Sequence, residues 1–268
     1  MKLLSKRTRI GTTALVVLAI GAMLMAVSLT ACSQQPSSSS STASKEASAK
    51  SSSSHSSNSS TAPNANAKNT LACIGDSITF GSGVDDPDHD AWPALLQEKL
   101  GTDWYVANLG MPGSMLLNES SSPYRSTGYV DRALELDPSV AIIMLGTNDS
   151  ADPSWNTGAY RTQLEALVDE IAQASTRNVQ IVLMAPPCTF FSKDNRWHRD
   201  PANNLIGNEI RSTIAQVAAD KGVRYLDLYA LTENHPEWFP DELHPDEVGN
   251  RAIADYIFEQ VFSSPQSI

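Results

Sequence analysis

Cysteine is nearly absent, three residues in 268, and no Cys/His spacing fits a zinc site. That excludes a disulfide framework or a metal-stapled fold, and no cofactor motif stands in its place. Positive charge is also scarce, with 19 Lys and Arg against 30 Asp and Glu. Four of the 19 (Lys2, Lys6, Arg7 and Arg9) precede residue 10, so the rest of the chain sets 15 cations against 30 anions. Such a surface repels nucleic acid, offers no basic patch to anionic lipid, and suits a neutral substrate. Large apolar side chains are almost missing from Ser33 to Asn69, "SQQPSSSSSTASKEASAKSSSSHSSNSSTAPNANAKN". A segment of that composition cannot offset its ordering entropy and is expected to be a flexible tether, residues 33–69. Its many serines and His55 are therefore set aside as catalytic candidates.

What precedes the tether is the reverse. A basic start leads into "IGTTALVVLAIGAMLMAVSLTAC", an apolar stretch closed by small residues and a cysteine, the layout of an export signal. Leu29-Thr30-Ala31-Cys32 resembles the lipobox of bacterial lipoproteins, which implies cleavage before Cys32 and its lipidation. The same run is close to the ~20 residues that span a bilayer, so an uncleaved anchor is the alternative. Either way the remaining domain is expected at the extracellular face of a cell membrane, in a layout that fits a Gram-positive surface, and as a monomer.

Residues 70–268, about 200 in number, suffice for one domain with a sizeable core. Strand-like apolar runs at 71–75, 104–110, 140–146, 179–186 and 223–228 alternate with helix-like segments near 91–100, 127–136, 157–175, 203–221 and 246–262. Leu205, Ile206, Ile210, Ile214, Val217 and Ala218 recur at three- and four-residue steps, an apolar stripe for packing on a sheet. Strict alternation of strand and helix argues for an α/β fold with a five-stranded parallel sheet covered on both faces. Cys73 and Cys188 flank apolar runs; they can pair, but buried thiols that do not bridge are the expectation.

Three polar motifs follow these strands: "GDSIT" (75–79), "GTNDS" (146–150) and "FPDELHP" (239–245). Parallel strands share one C-terminal edge, so the three should meet there. Together they supply what acyl transfer needs. Ser77 is a weak nucleophile that needs a base, His244 can serve as one, and Asp241, three residues earlier, can orient it. For an oxyanion, donors are available from the Asn148 amide, the Ser77 N–H and the N–H of Gly110 in "NLGMPGS". Each motif also has a purely structural reading: Asp76 or Asn148 as helix caps at strand-to-helix turns, and "DELHP" as a loop before a helix capped by Asp246.

In these residues the sequence resembles the SGNH hydrolases, the GDSL-type esterases and lipases, named for a serine, glycine, asparagine and histidine in four blocks. Here they match Ser77 in "GDSIT", Gly110 in "NLGMPG", Asn148 in "GTND" and His244 in "DELHP". The resemblance covers the whole domain. It implies a flavodoxin-like three-layer α/β/α fold, a Ser77/Asp241/His244 triad and an oxyanion hole of Ser77, Gly110 and Asn148. Ile78 stands where many members have leucine. "GDSIT" also lacks the closing glycine of the G-x-S-x-G elbow, which argues against an ordinary α/β-hydrolase.

Weaker features remain. "DDPDHD" (85–90) begins like a calcium loop, but Ala91 replaces the turn glycine and Gln97 the bidentate glutamate, so a solvated acidic loop and no metal are expected. Phe191 and Trp197 in "CTFFSKDNRWHRD", and Tyr124 and Arg125 in "SSPYRST", are candidate substrate contacts. The leading expectation is a lipid-anchored esterase removing short acyl groups, above all acetyl, from carbohydrate. A lysophospholipase, lipase or thioesterase is the second enzyme reading, and a tethered glycan-binding protein without activity is the reading from another class.

Overall fold

The computed structural model describes residues 67–191 and 204–263. The expected export signal, the lipidation site Cys32 and nearly all of the tether lie outside them, as does Trp197.

Five strands, β1 (Asn69–Gly75), β2 (Trp104–Gly110), β3 (Val140–Met144), β4 (Gln180–Ala185) and β5 (Arg224–Asp227), form one sheet. All pairs are parallel, in the order β2-β1-β3-β4-β5. This is the flavodoxin-like order, in which the chain reverses its direction of winding between β1 and β3. β1 begins at Asn69, one residue ahead of the expected start of the domain, and Lys68 N–H already donates to the Asp103 carbonyl at 3.0 Å.

The larger helices are α3 (Trp92–Leu100), α4 (Tyr129–Glu135), α5 (Thr157–Ala174), α6 (Arg211–Lys221) and α8 (Glu247–Ile257). Three short ones, α1 (Ser77–Phe80), α2 (Pro87–Asp90) and α7 (Leu228–Thr232), escape the sequence reading because four or five residues hold no full helical period. The stripe expected over 203–221 is real, with Ile206, Ile210, Ile214, Val217 and Ala218 all buried. Its first part, Leu205–Ile210, is wound as a π-turn leading into α6.

Alternation along the strands sorts the core into two layers. Ala72, Ile74, Ala141, Ile143, Ile181 and Leu183 pack on Val130 and Ala133 of α4, Leu164 and Leu167 of α5, and Ile214 and Val217 of α6. Leu71, Cys73, Ile142, Met144, Val182 and Met184 face the other way, onto Trp92, Leu95 and Leu96 of α3 and Ile253, Ala254 and Ile257 of α8. The expected three-layer α/β/α architecture follows directly. Both β1 and β3 are buried on two faces, which is why they read as continuous apolar runs rather than alternating ones. Cys73 and Cys188 are buried and form no disulfide.

Candidate active site

Register fixes where the motifs emerge. Gly75 pairs with Gly110 on one side and Met144 on the other, so the segments after β1, β2 and β3 leave the sheet side by side at the winding reversal. Asp76 there caps α1, its Oδ1 accepting from Ile78 N–H at 3.0 Å. Ser77 is the first residue of that helix. The capping reading and the nucleophile reading of "GDS" thus belong to different residues and hold together.

From the far end of the chain, the loop ahead of α8 brings His244 onto Ser77. His244 Nε2 lies 2.9 Å from Ser77 Oγ, and His244 Nδ1 lies 2.7 Å from Asp241 Oδ2. Asp241 Oδ1 accepts two further bonds, from the N–H groups of Leu243 at 3.0 Å and His244 at 2.6 Å. Partial burial works to raise the Asp241 pKa, but the His244 N–H, the imidazole and the Leu243 N–H outweigh it and hold the carboxyl below the ordinary range. An ionised carboxylate only accepts, so Nδ1 carries the imidazole proton and Nε2 presents its lone pair to the serine hydroxyl.

The loop that does this is held from several directions. Glu242 sits at φ +71°, and its carbonyl accepts from Phe190 N–H at 2.8 Å, while the Phe190 and Phe239 rings pack tilted at 45° with centroids 5.1 Å apart. The buried Asn250 of α8 donates to the Pro245 carbonyl at 2.7 Å and accepts from Trp92 N–H at 3.0 Å. Gly83, in the glycine-rich turn after α1, comes so close to Pro245 that a Cβ there would stand 2.2 Å from its carbonyl oxygen. Asp246, as expected, caps α8 through Gly249 N–H at 2.9 Å.

The opposite wall comes from the end of β3. Asn148 makes no cap bond; its Nδ2 donates to the Ser114 carbonyl at 3.0 Å, leaving the second amide hydrogen available. Gly110 does not play the part expected of it. Its N–H donates to Asn108 Oδ1 at 3.0 Å, and its α-carbon is pressed against α1, where a Cβ would lie 2.2 Å from Phe80 N. Gly110 is needed for close packing, with its donor already engaged. Three residues on, Gly113 sits at φ +77° in the turn that ends at Ser114, exposed, with no partner for its N–H among the described residues.

The weaker candidates fare differently. Tyr124 is buried, its hydroxyl donating to the Leu109 carbonyl at 2.5 Å, and Arg125 pairs with Glu170 of α5. Both line a small cavity of about 50 Å³ with Leu116, Val130, Gln163 and Leu167, and Ser77 is not part of that lining. Tyr124 is a core residue and Arg125 a surface ion pair. Phe191 is partly exposed beside Phe190, next to the His244 loop. In the acidic stretch Asp86 accepts from or pairs with His89, Nδ1 to Oδ2 at 2.8 Å. Among the described residues no cluster of His, Cys, Asp or Glu is arranged to hold a metal ion. Sequence reasoning missed Asp149, Asn108 and Asn250, whose side chains tie this edge together. Their signal was polarity inside otherwise apolar or motif segments.

Residues 73–252 match the family model of the GDSL-like lipase/acylhydrolases. The chain belongs to that family. It is 32% identical over 204 residues to an acetylxylan esterase of Xylanibacter ruminicola, covering 70% of this chain but only 42% of the relative, so it spans less than half the length of that protein. In fold it is similar to the aryl esterase of M. smegmatis, with TM-score 0.61 at 20% identity, over 73% of this chain and 99% of that one. A carbohydrate acetylesterase family member from Sinorhizobium meliloti superposes with TM-score 0.61 at 18% identity, over 72% of this chain and 97% of the other.

Proposed function

We propose that this GDSL-type enzyme removes short acyl groups, chiefly acetyl, from carbohydrate esters through Ser77, His244 and Asp241. The observation that carries the mechanism is the unbroken relay from Ser77 Oγ to His244 Nε2 at 2.9 Å and from Nδ1 to Asp241 at 2.7 Å. As Ser77 Oγ attacks the acyl carbon, Nε2 takes its proton and Asp241 stabilises the imidazolium. His244 then returns that proton to the departing sugar hydroxyl, and water repeats the sequence on the acyl-enzyme.

The oxyanion is met by the Ser77 N–H, the free hydrogen of the Asn148 amide and the N–H of Gly113, which takes the place first expected for Gly110. Gly113 lies beside Ser114, whose carbonyl is fastened to Asn148, so both donors belong to one assembly. The carbohydrate substrate is supported by likeness to the acetylxylan esterase and by an acidic surface that favours neutral ligands. The domain is further proposed to act as a monomer at the extracellular face of the membrane, held by lipid on Cys32. The basic start, the apolar run and Leu29-Thr30-Ala31-Cys32 support that placement. Radiolabelled palmitate on Cys32, lost in Cys32→Ser, tests it; a mature protein retaining Met1 contradicts it.

Hydrolysis of p-nitrophenyl esters from acetate to palmitate, with Ser77→Ala as the control, tests the activity. The expected result is a serine-dependent rate highest on acetate, followed by acetate release from acetylated xylan. A preference for long chains would move the substrate to lipids.

A further inference from the structure

Among the described residues the loop after β2 joins no strand of the sheet and is bridged only to itself, Met115 to Pro123, yet three consecutive N–H groups in it are held by side chains. Leu116 donates to Asp149 Oδ2 at 3.0 Å, Leu117 to Asp149 Oδ1 at 2.9 Å, and Asn118 to Gln163 Oε1 at 2.8 Å. Asp149 is fully buried at the end of β3, and none of the steps above uses it. Burying a carboxylate is costly, and desolvation pushes this one up to about 6 despite its two amide donors. Ordinary turn bonds would satisfy the same backbone without burying a charge, which points to a task that needs both carboxylate oxygens in one place.

That task is next door. Asn148 grips the same loop at the Ser114 carbonyl, 3.0 Å from its Nδ2. Adjacent residues at the end of β3 therefore seize the loop at 114, 116 and 117. We infer that Asp149 is a positioning residue for the oxyanion hole: by clamping Leu116 and Leu117 it fixes Ser114, which in turn aims the remaining Asn148 amide hydrogen, with Gly113 beside it, at the carbonyl attacked by Ser77. This rests on the reading of Asn148 as an oxyanion donor.

Asp149→Asn keeps the shape but replaces one acceptor by an NH₂ group that opposes a backbone N–H. On p-nitrophenyl acetate we expect kcat to fall about 10- to 100-fold with KM within about threefold, the mark of an interaction made in the transition state. A double-mutant cycle separates positioning from mere stability. In an Asn148→Ala background the Asp149→Asn change should cost no more than about threefold further, because the donor it aims is gone. Full additivity of the two losses, or wild-type kcat in Asp149→Asn, overturns the inference. Wild-type turnover in Asn148→Ala overturns it together with the oxyanion reading; impaired Asn148→Ala beside unimpaired Asp149→Asn overturns this inference alone. If Asp149→Asn loses its near-UV circular dichroism, Gln163→Ala, at the partly exposed end of the clamp, replaces it. That variant should lose about two- to fivefold in kcat at constant KM, non-additively with Asn148→Ala, and additivity or no loss overturns the inference.

Discussion

The two walls of the active site are built in opposite ways. The wall proposed to move protons is a surface loop: Asp241 is half exposed, and its carboxyl is held low by donors only two and three residues along the chain. The wall proposed to meet the oxyanion is anchored in the interior: Asp149 is fully buried, and its donors lie more than thirty residues away in sequence. A local turn orients the histidine, and the loop's anchors at Phe190 and Asn250 hold it against Ser77. An oxyanion donor must be aimed at a point outside itself, and that requires a fixed frame.

Mutations sharpen the contrast. Ser77→Ala, which serves both walls, should reduce kcat by about 10⁵-fold or more while the fold persists; steady-state hydrolysis of p-nitrophenyl acetate measures it. Asp241→Asn should cost about 10⁴ in kcat, because the amide favours the wrong imidazole tautomer. If the loss is under about tenfold, the surface loop does not orient His244 through that carboxylate. On the interior wall, Asn148→Ala should cost about 10²–10³ in kcat with little change in KM.

Gly110→Ala separates packing from catalysis. A Cβ there meets Phe80 N at 2.2 Å, so thermal unfolding should reveal a loss of about 1–3 kcal/mol, with surviving folded molecules near wild-type kcat. A rate defect at unchanged stability would restore Gly110 to the oxyanion hole.

The smallest effect is a pH slope. Desolvation pushes the buried Asp76 carboxyl from 3.8 to about 6, against the pull of the Ile78 N–H and other groups. A carboxyl with a higher pKa folded than unfolded takes up a proton on folding within that window, so its contribution to stability declines as pH rises from about 4 to about 6. Asp241, shifted the other way, contributes stability that is present above 3.8 and lost as pH falls through its lower folded value. Between about pH 4 and 6 the Tm of the wild type should decline relative to that of Asp76→Asn; equal slopes would show that Asp76 is not a titrating interior acid.

The same contrast explains what could be read from the chain. β2 was legible to the residue, and the stripe through Ile206, Ile210, Ile214 and Val217 was visible, because burial on one face imposes a period. The meeting of Ser77, His244 and Asp241 was legible because Asp241 and His244 are three residues apart and Ser77 closely follows the end of a strand. Asp149 was not, because an acid after Asn148 looks like a helix cap until the loop 116–117 is seen against it. Gly110 misled for a related reason: two glycines share "NLGMPGS", and only the direction of Gly110 N–H toward Asn108 tells them apart.

The most direct test of the central claim is covalent capture. A fluorophosphonate added to the folded protein should place one label per chain on the peptide carrying Ser77, with turnover of p-nitrophenyl acetate lost in proportion, and Ser77→Ala should take up no label. Labelling at another residue, or turnover that survives full modification of Ser77, would contradict the account.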